Sequence, residues 1–206
     1  MILLLCAAPM ARAATPWNVG YRKIDVQDAL TGESFPVALW YPTPATPAPL
    51  FVTDSLSFCR LPAPLCRWVT FEMPVAHNAP LAAGRFGVIV VSHGSGGLAV
   101  NHRDLAMALA SHGYIVAAPR HPRGRSNDIS GVAVWVGRPQ QVSHIIDTVL
   151  GDGQLGPHIE RERIGVVGHS LGAFTALEVA GARPSPGAAA AHCRQHPDDA
   201  KFCGTG

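Results

Sequence analysis

Five residues near the end of the chain, Gly168-His169-Ser170-Leu171-Gly172, combine types that could do acyl-transfer chemistry. A serine hydroxyl is a poor nucleophile until a base takes its proton, and it must stand clear of its neighbours so that a carbonyl carbon can approach. A Gly-x-Ser-x-Gly turn meets the second need by setting the serine on a tight strand-to-helix corner. Its glycines sit where side chains would strike the adjoining strand and helix. The next amide, that of Leu171, would open the helix with its N–H unpaired and able to face a developing oxyanion. By composition alone the pattern arises in roughly one 200-residue chain in fifteen, so the flanks must decide. They favour chemistry over an ordinary Gly/Ser turn: "RIGVV" before it has the make-up of a buried strand, and "AFTALEVAGA" after it that of a helix.

A second glycine-rich stretch, "SHGSGG" from Ser92 to Gly97, follows the β-branched run "FGVIVV". An oxyanion hole needs two donors, and a loop after an earlier strand of the same sheet can give the second. Gly94 and Gly96 would let the main chain come close, and the backbone N–H of Ser95 is the expected donor. A phosphate cradle is the other use of such glycines. The Gly-x-x-x-x-Gly-Lys-Ser/Thr spacing is absent, however, as is a Gly-x-Gly-x-x-Gly followed by an acidic residue. Nothing in the pattern calls for a cofactor or a metal.

Both loops must be held together by the rest of the chain. "GYRKIDVQDA" and "FPVALWYP" alternate like strands around the turn "LTGES", which predicts a hairpin over 19–42. From Thr43 to Pro80 prolines recur without periodicity, and the expectation is an irregular excursion whose apolar part, Leu50–Pro80, could wall or cover a site. "FGVIVVSH" and "YIVAAP" read as strands buried on both faces. "HRDLAMALASHG" has helical spacing with Leu105, Leu109 and nearby alanines on one side, and Arg138 to Leu150 repeats that spacing with Val142, Ile145, Ile146 and Val149. The predicted order is a hairpin followed by three strand–helix units. That is an α/β fold: a mostly parallel sheet with helices on both faces and an antiparallel hairpin at the start. In such sheets functional groups collect beyond the carboxyl ends of the strands, where both glycine loops fall.

At 206 residues, 48% hydrophobic and 15% charged, the chain fits one globular domain. A formal charge of +2, with no Lys/Arg clusters among aromatics, leaves no footprint for nucleic acid. "MILLLCAAPMARAATPW" reads as the end of a secretory signal peptide cut after Ala13, although no Lys or Arg precedes its apolar run. That run is far shorter than the roughly 18 residues of a membrane span. The expectation is export, periplasmic or extracellular, with residues 1–13 as a partial leader and 14–206 as a single domain. Without Cys6, four cysteines remain: Cys59, Cys66, Cys193 and Cys203. An even count in an exported chain suggests two disulfides, the sequence-local pairs being favoured over free thiols or a zinc site.

"PVALWYPT", "GRFGVIVVSHGSGG", "GYIVAAPRHP" and "GVVGHSLGAFTALEVAGA" together resemble the dienelactone hydrolase-like branch of the α/β-hydrolases, akin to the platelet-activating-factor acetylhydrolases. The resemblance runs from Val19 to the end of the chain. It implies a serine-dependent hydrolase of small-molecule carboxylic esters, with Ser170 as nucleophile and the N–H groups of Ser95 and Leu171 as oxyanion donors. It also implies an acid and a histidine, in that order, after later strands. The closing stretch "RPSPGAAAAHCRQHPDDAKFCGTG" does contain His192, His196, Asp198 and Asp199. It reads as a loop between two cysteines, with nothing rigid to hold a base. His169 is expected to be structural or to line a pocket, and His102, Asp104, His144 and Asp147 to lie on helix surfaces or ends. The chain is therefore expected to match the N-terminal part of such a hydrolase, with its triad partners beyond residue 206 and the outer edge of the last strand open. Two functions stay in view: an ester hydrolase by lineage, and a catalytically inactive remnant or binding protein on the same fold. A peptidase is a third, because specificity lives in loops rather than in the scaffold.

Overall fold

The computed structural model describes residues 16–28, 31–55, 68–122, 136–199 and 203. The first two alternating segments form a hairpin, β1 (Asn18–Gln27) and β2 (Ser34–Thr43), paired antiparallel from Asn18↔Thr43 to Gln27↔Ser34. Gly32 sits in the connecting turn at φ 72°, a left-handed conformation that costs glycine least.

The stretch from Thr43 to Pro80, expected to be irregular, supplies a second hairpin instead. β3 (Ala48–Ser55) and β4 (Trp68–His77) pair antiparallel, and β4 joins β1 in parallel at Gly20↔Ala76. Its prolines are accommodated by register: Pro49 stands opposite Pro74, a pair that asks for no N–H donor from either residue. Cys59 and Cys66 lie outside the described residues, as do Cys6 and residues 1–13, where a leader is expected.

β5 (Phe86–Ser92) lies parallel to both β6 (Tyr114–Pro119) and β7 (Ile159–Gly168), while β2 meets β6 antiparallel. The seven strands run β3-β4-β1-β2-β6-β5-β7. Alternation along β2 divides the core: Val37, Leu39 and Tyr41 point to one face, Ala38 and Trp40 to the other. On the first face α2 (Arg138–Gly151) lays Val142, Ile145 and Val149 over Val88 and Val90, with α3 (Leu171–Val179) beside it against β7. On the other, α1 (Arg103–Ser111) packs near Val116 and Tyr21. Its buried residues are Ala106 and Ala110, whereas Leu105, expected on the apolar side, is 42% exposed. Small alanines let the helix axis approach the sheet, and the larger leucine is left at the rim.

The tail after α3 also departs from expectation. It forms α4 (Pro186–Gln195), whose N-cap Ser185 accepts from the Ala188 N–H, with Pro186 in the first turn and an alanine run behind it. Cys193 and Cys203 are joined in a disulfide with Cα atoms 5.5 Å apart. At the other end of the sheet order, β7 has no strand on its outer side among the described residues. Val167 is 40% and Leu177 60% exposed there. No helix among the described residues is long and apolar enough to cross a membrane.

Candidate active site

β7 ends at Gly168 and α3 begins at Leu171, so Ser170 occupies the corner between them. It is exposed, and its backbone lies at φ 53° and ψ −120°, a region costly for any residue with a Cβ. Such strain is on the order of 1–3 kcal/mol and persists only where the surroundings enforce it. Here the enforcing contacts can be named. A Cβ on Gly168 would overlap the Gly172 carbonyl, and a Cβ on Gly172 would overlap the Ser92 carbonyl oxygen. Only glycine allows strand, corner and helix to pack this closely. The His169 N–H donates to Ser92 O at 3.2 Å and stitches the corner to the end of β5.

The loop after β5 meets that corner. A Cβ built on Gly94 would lie 3.3 Å from Ser170 Cβ and 3.2 Å from His169 Nδ1, so the two glycine-rich turns are in contact. Gly96 takes φ 65°, and the Gly97 N–H closes the turn on Gly94 O at 3.2 Å. Neither the Ser95 N–H nor the Leu171 N–H donates to a described backbone group. At Leu171 this follows from its place at the start of α3, where the first amides have no acceptor within the helix. Two unspent donors thus flank an exposed hydroxyl.

Beneath the loop lies a buried polar cluster that sequence reasoning missed. Ser92 Oγ is 2.8 Å from His121 Nε2, and His121 Nδ1 is 2.7 Å from Gln141 Oε1. Gln141 Nε2 in turn donates to Asp28 Oδ2 at 2.5 Å. The His121 N–H donates to His93 Nε2 at 3.2 Å, and Arg138 Nη1 donates to the His93 carbonyl at 2.8 Å. Burial pushes the His93 imidazole down to about 4, helped by the cations of Arg138 and Arg120. Burial likewise holds His121 well below the ordinary histidine range. Desolvation brings Arg138 down to about 10, which still leaves it cationic at neutral pH. The one hint in the sequence was the pair Arg138 and Gln141, polar residues set on the helix face that also carries Val142 and Ile145.

The remaining expected residues fall as follows. His169 is exposed beside Ser170, its ring 5.5 Å from that of His102, which burial and the neighbouring His169 hold below its usual value. His102 occupies the N-cap position of α1 without a side-chain capping bond, and Asp104 lies in the first turn. His144 and Asp147 border an open cleft between α2 and α3 with Glu178. His192 Nε2 pairs with Asp199 Oδ2 at 3.1 Å, and His196 stacks on His192 next to the Cys193–Cys203 bridge. All ten histidines of the chain are described, and none hydrogen-bonds the Ser170 hydroxyl. Among the described residues no group of three His, Cys, Asp or Glu side chains is gathered as a metal ion would need.

Against known proteins, the sequence pattern of the chlorophyllase family matches residues 67–185, which takes in β4 through α3 and both glycine loops. Platelet-activating factor acetylhydrolase of Cavia porcellus is 23% identical over 190 residues, covering 70% of this chain and 43% of that protein. Its Bos taurus counterpart is 27% identical over 154 residues, covering 51% and 34%. The chain therefore spans less than half the length of these relatives. Among solved structures, a ferulic acid esterase from Streptomyces cinnamoneus superposes with a TM-score of 0.57 at 25% identity, over 84% of this chain and 57% of that one. A dienelactone hydrolase-like promiscuous phosphotriesterase from metagenomic libraries shares the fold, with a TM-score of 0.51 at 15% identity over 79% and 54%. With more than half its length matched, the chain belongs to the chlorophyllase family, within the dienelactone hydrolase-like and platelet-activating-factor-acetylhydrolase-like branch of the α/β-hydrolases.

Proposed function

We propose that the chain carries the nucleophile and oxyanion donors of a serine-dependent hydrolase of small-molecule carboxylic esters. Ser170 Oγ attacks the ester carbonyl carbon as its proton passes to a base. The N–H groups of Leu171 and Ser95 receive the charge that builds on the carbonyl oxygen. The alkoxide then leaves with a proton, and the acyl group remains on Ser170 until water removes it. The observation that carries this reading is the exposed Ser170 at φ 53°, in contact with the Gly94 turn and flanked by two amides without acceptors. The esterase-like relatives support the reaction class. Export is part of the same reading, and the Cys193–Cys203 bridge favours an oxidising compartment.

One observation favours a second reading. No histidine of the chain reaches Ser170, so the described residues provide no hydrogen-bonded base. A site with an oxyanion hole and no base retains roughly 10³–10⁴ over water, and such a protein would bind esters rather than turn them over. Incubation of the full chain with p-nitrophenyl acetate, followed by peptide mass spectrometry, separates the two. The hydrolase reading expects an acetyl adduct on the Ser170 peptide that disappears in Ser170→Ala. Ester binding with no adduct on Ser170 would replace it with the binding reading.

A further inference from the structure

The buried cluster beneath the Gly94 turn has a fixed direction, which can be read one donor at a time. A main-chain N–H can only donate, so His93 Nε2 accepts from His121 N–H and the His93 proton sits on Nδ1. From there it is donated to the Gly94 carbonyl at 2.7 Å. The Asp28 carboxylate accepts from the Thr31 N–H and from Gln141 Nε2, which turns the Gln141 oxygen towards His121. His121 therefore also carries its proton on Nδ1, and its bare Nε2 accepts from the Ser92 hydroxyl.

Ser92 and His121 form a serine–histidine pair, but Ser92 is fully buried and no substrate could reach it. The pair's effect is on the loop. The Gly94 carbonyl is pinned by His93 Nδ1–H and the Gly97 N–H, and a trans peptide directs its N–H opposite to its C=O. Held this way, the Ser95 N–H points out of the ring cluster, on a loop whose Gly94 packs against Ser170.

We infer that Asp28, Gln141, His121 and His93 are positioning residues: hydrogen bonds from Asp28 through Gln141 lock the His121 ring as its Nδ1–H tautomer, and the main-chain N–H of the residue so held fixes the same tautomer at His93, which aims the Ser95 N–H. The role given to that amide rests on the oxyanion assignment proposed above; the tautomers and the direction of the amide do not. The arrangement also explains why two histidines stand at the carboxyl ends of the central strands without either reaching Ser170. Both nitrogens of each ring are already engaged.

Long-range proton–nitrogen spectra of the uniformly 15N-labelled full chain at neutral pH test this directly. The expected result is the less common Nδ1–H tautomer at both His93 and His121. The Nε2–H tautomer at either ring overturns the inference without need of any variant. In Gln141→Leu, His121 should switch to Nε2–H and the Ser95 amide resonance should move. The double change Asp28→Asn with Gln141→Glu restores a donor at position 28 and an acceptor at position 141, and should return both signals towards wild type. A Ser95 amide unmoved in a folded Gln141→Leu chain, or no recovery in a folded double variant, also overturns it. Reaction of Ser170 with a fluorophosphonate is read separately. Failure there, with both tautomers as expected, sinks the nucleophile and leaves the relay standing.

Discussion

The two glycine-rich turns touch each other and are built in opposite ways. The Gly94 turn rests on a buried relay in which side chains from β5, the loop after β6, α2 and the β1–β2 turn each meet a partner. The Ser170 corner has a strained backbone, an exposed hydroxyl and no side-chain hydrogen-bond partner among the described residues, and its shape is held by close glycine packing and main-chain hydrogen bonds. On the proposed reading, the difference separates two requirements of acyl transfer. Donors that stabilise charge work best when fixed beforehand in a dry setting, whereas the attacking oxygen must remain open to a substrate. It also places the risk differently. The relay fails if one of its polar residues is lost, and the corner fails if a single methyl group is added.

The largest effect should follow from that methyl. Gly172→Ala puts a Cβ onto the Ser92 carbonyl, where neither backbone can give way. A loss of about 3 kcal/mol or more is expected in urea denaturation. A loss below about 1 kcal/mol would mean that the corner is not held by close packing.

Acid should act on the other turn. Folded His93 stays neutral down to about 4, while in the unfolded chain it takes a proton below 6.5. Between those values the unfolded state binds more protons, so stability is full above 6.5 and falls as the pH drops towards 4. The contribution of His93 is on the order of 3 kcal/mol. Denaturation midpoints of wild type and His93→Gln across that window should converge at the acid end. Parallel curves would contradict a buried neutral ring.

A smaller loss, about 1–3 kcal/mol, is expected for Gln141→Leu, which leaves Asp28 and His121 each without one buried partner. Thermal melts at neutral pH measure it, and an unchanged midpoint would show the relay to be energetically idle. Smallest of all, Leu177→Gln on the outer face of α3 should change stability by less than about 0.5 kcal/mol, because this leucine is 60% exposed. It should nonetheless reduce self-association in sedimentation, since it removes exposed apolar surface on α3, the helix that packs against β7. A large loss of stability would mean that this face packs against something.

The corner was legible in the sequence because its pattern is local: Gly168, Ser170 and Gly172 lie within five residues, and Gly168 answers a clash inside that span, although the carbonyl that Gly172 makes room for belongs to Ser92. The parallel units were equally plain, since β5 and β6 are runs of valine, isoleucine and alanine buried on both faces. β3 and β4 were hidden by Pro49 and Pro74, which argue against strands one at a time and are tolerated only once they face each other. α4 was overlooked although Ser185, Pro186 and the alanines behind them form a sound helix start. The relay could not have been found by spacing. Asp28 and Gln141 are 113 residues apart, and a buried glutamine looks like any surface glutamine until the sheet brings its partners together.

The central claim is that the hydroxyl of Ser170 is the reactive group of this fold. Treating the purified full chain with a fluorophosphonate probe and mapping the modified peptide tests it most directly. The account predicts one phosphonylated residue, Ser170, with labelling lost in Ser170→Ala and undiminished in Ser143→Ala, a helix-surface control whose hydroxyl only donates to the Pro139 carbonyl. Absence of any label on Ser170, or labelling that persists in Ser170→Ala, would contradict it.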